Sequence, residues 1–276
     1  MTDYVFDEKA KAEDALANLT LGVNPFGTLI TIAKYYTQIE KLNKRKTREI
    51  LISFLLACDP KAFVPKWERA IDKAVRLASK SPLIDIPYVP VTQAETEVVD
   101  SRSTAPERRF AFTLLCLAKY HTLVNPKCEY WVTEESNQIM KLANVNMTVK
   151  RQDMAFYNLY KDGYLEYPGT IDRLSCKVLY VDNDAPEVLR VDDFRNLGFQ
   201  YEAYKGGAFC RCEVCGSLIR AATSAGRPTK YCPDCARVTH AMQRVESNRR
   251  MRAEDRLRRL NNIFKSDDKN YPSETA

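Results

Sequence analysis

Two Cys-x2-Cys pairs, Cys212 with Cys215 and Cys232 with Cys235, stand sixteen residues apart and constrain this chain more than any other feature. A pair at that spacing lets one tight turn present two thiolates to a tetrahedral ion, and the intervening length suits a hairpin that returns the second pair over the first. Gly216 follows the first pair, where backbone of positive φ brings N–H groups toward sulfur. Four soft sulfur ligands fit zinc. An iron–sulfur cluster is less usual at this spacing, and a redox dithiol is disfavoured because neither pair sits in a βαβ pattern. The expectation is a structural zinc ribbon over residues 210–236, its shell closed to water and substrate, with Cys210 a spare thiol outside it. Cys58, Cys116, Cys128 and Cys176 are scattered, and an odd total of nine argues against a disulfide framework.

The stretch after the ribbon carries neither Gly nor Pro from Asp234 to Phe264, which predicts a long helix, basic over residues 237–265. Arg237, Arg244, Arg249, Arg250, Arg252, Arg256 and Arg259 are its candidate nucleic-acid contacts, because the planar guanidinium fork gives two parallel hydrogen bonds to phosphate or to a guanine edge. Met242, Val245, Leu257, Leu260 and Phe264 form a patchy apolar stripe, so part of the helix is expected to dock on the body, on a protein partner or on another copy. The charge is segregated: residues 1–209 carry 28 Lys+Arg against 28 Asp+Glu, residues 210–265 carry 13 against 5, and the flexible tail 266–276 carries 1 against 3. A neutral body with one basic appendage is the distribution expected of a polyanion binder.

The run CEVCGSLIRAATSAGRPTKYCPDCARVTHAMQRVESNRRMR resembles the zinc-ribbon-plus-basic-helix tail of uncharacterised proteins of phages and other mobile elements of Gram-positive bacteria. The resemblance covers about the last quarter of the chain. It implies nucleic-acid handling in a mobile-element setting and carries no catalytic activity with it.

Upstream, residues 1–100 read as a helical domain. Asn24-Pro25 starts a helix over Phe26 to Ile39, Thr47 to Ala57 is a second, and Pro65 to Ser79 a third with proline in its first turn. The cations Lys41, Lys44, Arg45, Lys46 and Arg48 at the first joint read as a solvated turn. Pro82, Pro87 and Pro90 then enforce extended chain. Pro106 opens a strong helix whose TLLCLAKY echoes TLITIAKY at residues 28–35, a match that shared core packing explains more economically than duplication.

Residues 106–182 have the order of a winged helix: helix, short strand Tyr130-Trp131-Val132, a helix capped by Thr133 and running through Leu142, a helix Thr148 to Lys161, then a hairpin. The hairpin is Tyr164 to Tyr167, a Pro168-Gly169 turn at the wing, and Ser175 to Val181. On the helix before it, Val149, Phe156, Leu159 and Tyr160 are expected inward, leaving Lys150, Arg151, Met154, Asn158 and Lys161 outward. Lys150, Arg151, Asn158 and Lys161 are the candidate base and phosphate contacts of a major-groove recognition helix. Residues 183–209, acidic and punctuated by glycine, read as an irregular linker with a short helix over Asp192 to Leu197.

The fold class expected is therefore mainly α: an N-terminal helical domain, a winged-helix-like α+β middle, and a zinc ribbon followed by a long basic helix. No HExxH, P-loop or Cys–His–Asn pattern stands out, and with two histidines, His121 and His240, an enzyme is not expected. The mixed-charge N-terminus, and the lack of an apolar run near the roughly 20 residues that span a bilayer, predict a cytoplasmic protein without membrane contact. The function expected is nucleic-acid binding, to duplex DNA before RNA, in replication or transcription control. The alternatives are an accessory or anti-defence protein that masks a nucleic-acid-handling enzyme, and an RNA-binding protein.

Overall fold

The computed structural model describes residues 4–22, 24–169, 175–222 and 228–267, with side chains through Arg258 in the last helix. The chain is mainly helical and divides into two compact units, residues 1–205 and 206–276. Among the described residues no helix is long and apolar enough to cross a membrane.

The first unit is built on two apolar cores. One belongs to helices α1 (Glu8–Asn18), α2 (Pro25–Gln38), α3 (Lys44–Cys58) and α4 (Val64–Ala78), which bury Leu29, Ile32, Leu51, Leu55 and Ile71. Asn24 and Asn43 start α2 and α3 by accepting the N–H of Gly27 and Lys46 on their side-chain oxygens, as the N-cap position requires. Helix α1 is short and buries Glu8 and the small apolar residues Ala12 and Ala15, so its sequence offers little apolar period to read.

The second core surrounds α6 (Ala105–Val124), in which every residue from Phe110 to Tyr120 is buried. A helix enclosed on all sides must be covered by other elements. They are α5 (Gln93–Asp100), α7 (Ser136–Leu142), α8 (Val149–Lys161), α9 (Leu197–Tyr204) and two small sheets. Three short strands, β2 (Trp131–Val132), β3 (Leu165–Glu166) and β4 (Cys176–Val178), form an antiparallel sheet in the order β2-β4-β3, with Trp131 opposite Lys177 and Leu165 opposite Val178. Strand β1 (Val89–Thr92) pairs antiparallel with β5 (Glu187–Val191), Val89 facing Val191. Pro90 is tolerated because β1 has a neighbour on one side only.

Four expected boundaries move. The second core takes in Tyr4 and Phe6 from the N-terminal segment and resumes near Ile84 and Ile86, including α5 through Val99, so the first division falls some fifteen residues before residue 100. Residues 183–205 are not a linker: β5 completes a sheet and α9 packs on the module, so closely at Gly198 that a Cβ there would collide with the Ala143 carbonyl oxygen. The short helix starts at Leu197 rather than ending there. Helix α7 starts at Ser136 rather than being capped by Thr133.

Candidate metal centre and nucleic-acid interface

In the second unit, β6 (Phe209–Arg211) and β7 (Leu218–Arg220) pair antiparallel, and the turn between them is the first Cys-x2-Cys knuckle. Gly216 turns at φ 71° and its N–H returns to the Cys212 carbonyl at 2.9 Å, while Cys212 N–H reaches the Ser217 carbonyl. The second pair does not sit on a hairpin strand. Cys232 immediately precedes helix α10 (Pro233–Asp267) and Cys235 lies in its first turn.

The ligand atoms of Cys212, Cys215, Cys232 and Cys235 all lie within 4.8 Å of one another, so the four can hold a metal ion. Backbone N–H groups address the sulfurs, Cys232 N to Cys212 Sγ at 3.3 Å and Cys235 N to Cys232 Sγ at 3.4 Å, and the Ser217 hydroxyl is 3.1 Å from Cys215 Sγ. Burial works against the Cys212 thiolate, but the N–H groups of Cys215, Cys232 and Val214 outweigh it and bring the thiol down to about 6. The Ser217 hydroxyl lowers Cys215. Cys210 points its thiol at the Thr229 carbonyl, 3.2 Å away, and is not part of the group. Cys235 moves the other way, pushed up to about 12 by its hydrogen bond with the Cys232 thiol and by burial. Outside the group, Cys116 and Cys176 are pushed up by burial, Cys176 to about 12, as inert core thiols are.

Helix α10 is exposed from His240 through Arg258. Arg237 pairs with Asp234 and Arg250 with Glu246 at 2.7 Å, and Arg244 reaches the His240 carbonyl. Arg249, Arg252 and Arg256 have no carboxylate partner among the described residues, and at about 100° per residue they continue the face on which Val238, Met242 and Val245 are exposed. Met251 and Leu257 point elsewhere, and the side chains of Arg259, Leu260 and Phe264 lie outside the described residues.

In the first unit, the sequence-predicted faces of α8 need correction. Its inward residues are Gln152, Ala155, Phe156 and Leu159, whereas Val149, 70% exposed, and Tyr160, 51% exposed, are outside. Ala155 and Gln152 are small or polar and give no hydrophobic signal, which is why the larger apolar residues misplace the face. Lys150, Met154, Tyr157 and Lys161 form the outermost stripe, with Arg151 exposed on one flank. Asn158 is half-buried and lines a cleft with Ser101, Arg102, Phe110, Lys161 and Asp162. Pro168 and Gly169 follow β3, and residues 170–174 of that connection lie outside the described residues.

His121 lies in α6 of the first unit. Its Nε2 is 2.7 Å from Glu134 Oε1, which also accepts the Tyr4 hydroxyl at 2.8 Å. Comparison of this chain with protein-family models, with curated proteins and with solved structures finds no match in any of the three.

Proposed function

We propose that the chain binds duplex DNA through α8 and the β3–β4 hairpin as a winged helix, with a structural zinc ribbon that anchors the arginine helix α10 as a second set of phosphate contacts. The observation that carries the reading is the outward stripe of α8. It combines two lysines with an exposed methionine and tyrosine on the third helix of a helix–strand–helix–helix–hairpin module whose strands run β2-β4-β3. Cations at Lys150 and Lys161 address phosphate or guanine, and the Met154 and Tyr157 side chains supply apolar contact to base edges such as the thymine methyl. Zinc is supported by the sulfur geometry. Four Zn–S bonds of about 2.3 Å at tetrahedral angles separate the sulfurs by about 3.8 Å, and Cys215 and Cys232 Sγ stand 3.8 Å apart. Because all four positions are sulfur, the ion would orient the start of α10 and would offer no site to a substrate. The setting that fits is replication or transcription control in a mobile element.

A protein-partner reading is favoured by one observation, the exposure of Val238, Met242 and Val245 on a single face of α10 next to the ribbon. Titrating fluorescent duplex DNA, single-stranded DNA and RNA at several salt concentrations tests the reading. Duplex is expected to bind with a steep salt dependence, and equal or tighter binding to RNA, or none to any of the three, would overturn it.

A further inference from the structure

The helical N-terminal core repeats the frame of the module that follows it. Thr28 and Thr113, Lys34 and Lys119, and the first residues of α4 and α8, Val64 and Val149, are each 85 residues apart. Thr28 and Thr113 both return their hydroxyls to the carbonyl four residues back. Lys34 is buried on Glu8 and Lys119 on Glu95, each pair closing at 2.8 Å, and each carboxylate also accepts a backbone N–H from the chain that follows the third helix, Ile84 in one half and Asp182 in the other. In the same register Trp67 and Ala74 of α4 occupy the positions of Gln152 and Leu159 of α8, and all four turn inward, although buried Val75 falls on exposed Tyr160. Helix α4 thus holds in its half the sequence register that α8, the helix proposed to face DNA, holds in the other.

The outer face of α4 is more basic than that of α8. Lys66, Arg69, Lys73 and Arg76 recur at intervals of three and four residues, and Lys80 continues the row in the turn beyond the helix. All five are exposed, opposite the buried Ile71, Ala74, Val75 and Ala78. None has a carboxylate partner among the described residues. The two acids of the helix, Glu68 and Asp72, lie on a flank and are held by Arg48 of α3, with Nε 2.9 Å from Asp72. Lys73 also lies 5.2 Å from the centre of the Phe26 ring. A row of like charges without counter-ions costs self-repulsion, and the neutral total over residues 1–209 conceals it.

We infer that the α4 face is a second duplex-DNA contact surface, formed by Lys66, Arg69, Lys73, Arg76 and Lys80. Its ligand is extended, because the helical cations are strung over about 15 Å at 1.5 Å per residue and converge on no single point. About 15 Å of duplex axis carries about nine phosphates. A membrane-surface helix would need its apolar face free, and here that face is in the core. The identity of the ligand as DNA rests on the function proposed above, while the surface itself rests on α4 alone.

The test replaces all five cations by Gln in the full chain and measures binding of fluorescent duplex DNA from low to high salt, beside one variant with the α8 lysines and one with the α10 arginines replaced. The α4 variant is expected to lose up to about 0.9 in the slope of log affinity against log salt for each phosphate contact removed. Swapping each Lys for Arg and each Arg for Lys is expected to keep the slope. Should the five-fold variant lose helicity, Arg69→Gln with Arg76→Gln, neither of which makes a side-chain hydrogen bond or ion pair among the described residues, is expected to lower the slope by about 1.8. An unchanged α4 slope with reduced α8 or α10 slopes overturns this inference and leaves the proposed function standing. The reverse pattern overturns that function's assignment to α8 and α10 and leaves this surface. Binding of the wild type to vesicles of anionic lipid through these five residues, with no effect on DNA, replaces DNA by a membrane and overturns it as well.

Discussion

The Lys119 ammonium sits 2.8 Å from a carboxylate oxygen of Glu95 in the interior of the second core, with side-chain exposures of 3% and 0%. The same carboxylate accepts the N–H of Thr92 and of Asp182, so it ties α6 to the strand before α5 and to the chain after β4. Removing one member of such a pair leaves the other charge buried alone. Lys119→Met is expected to cost about 3–5 kcal/mol. The double variant with Glu95→Gln should recover part of that by removing the unpaired charge, but not all of it, because the amide oxygen can take only one of the two backbone N–H groups, which address different carboxylate oxygens. Urea unfolding of the full chain measures both, and a loss below about 1 kcal/mol for Lys119→Met would show that the charge finds another partner.

Acid should loosen the contact between the N-terminal segment and α6. Burial raises the Glu134 carboxyl, but donation from His121 and then from Tyr4 prevails and holds it below the ordinary carboxylate value. A carboxylate lowered on folding contributes stability that is present above its unfolded value and is lost as pH falls through its folded value. Tyr4→Phe removes one donor, so the Glu134 titration should move upward and the acid transition should begin at higher pH. Carboxyl-carbon NMR reads this directly; an unmoved Glu134 resonance would remove Tyr4 from the account.

Elemental analysis should find about one zinc per chain. Cys212→Ser and Cys232→Ser are expected to lose it together with the order of the ribbon, while Cys210→Ser keeps both, because Cys210 spends its thiol on the Thr229 carbonyl. Full metal content in the Cys212 variant is the result that excludes the four-sulfur site.

The arginine helix and α8 should separate by the kind of loss they show. Replacing Arg244, Arg249, Arg252 and Arg256 by Gln is expected to weaken binding to all duplex sequences alike and to lower the salt slope by about 0.9 per contact. Lys150→Gln and Tyr157→Ala should weaken a preferred sequence by about 1–3 kcal/mol and random duplex much less. Binding curves on a selected and a scrambled duplex decide this; identical losses on both would leave α8 without a reading role.

What could be read from the sequence was whatever is local. The knuckles are legible because Cys-x2-Cys is a constraint on neighbouring residues, and α2, α3 and α6 because their caps and apolar period lie within one helix. Strand β5 was not, since its partner β1 lies about a hundred residues earlier and the acidic residues around it resemble a solvated linker. The face of α8 was misjudged because exposed Val149 and Tyr160 look like core, whereas the buried face is filled by Gln152 and Ala155. The cationic row of α4 was present in the sequence at helical spacing, hidden by a charge count that averaged it with the acids of the same segment.

The pairing of β1 with β5 sets an order of events on the ribosome. The four helices of the first core are complete once residue 78 has emerged and can close on themselves. Val89, Val91 and the underside of α6 then wait for a strand that ends at Val191. At about 5–20 residues per second that interval lasts about 5–20 seconds, during which an apolar strand edge is exposed to other nascent chains. Truncations that stop between residues 100 and 186 should therefore accumulate on chaperones or aggregate, whereas a stop after Tyr204 should not, and the arginine helix is made only after that exposed edge has been sealed.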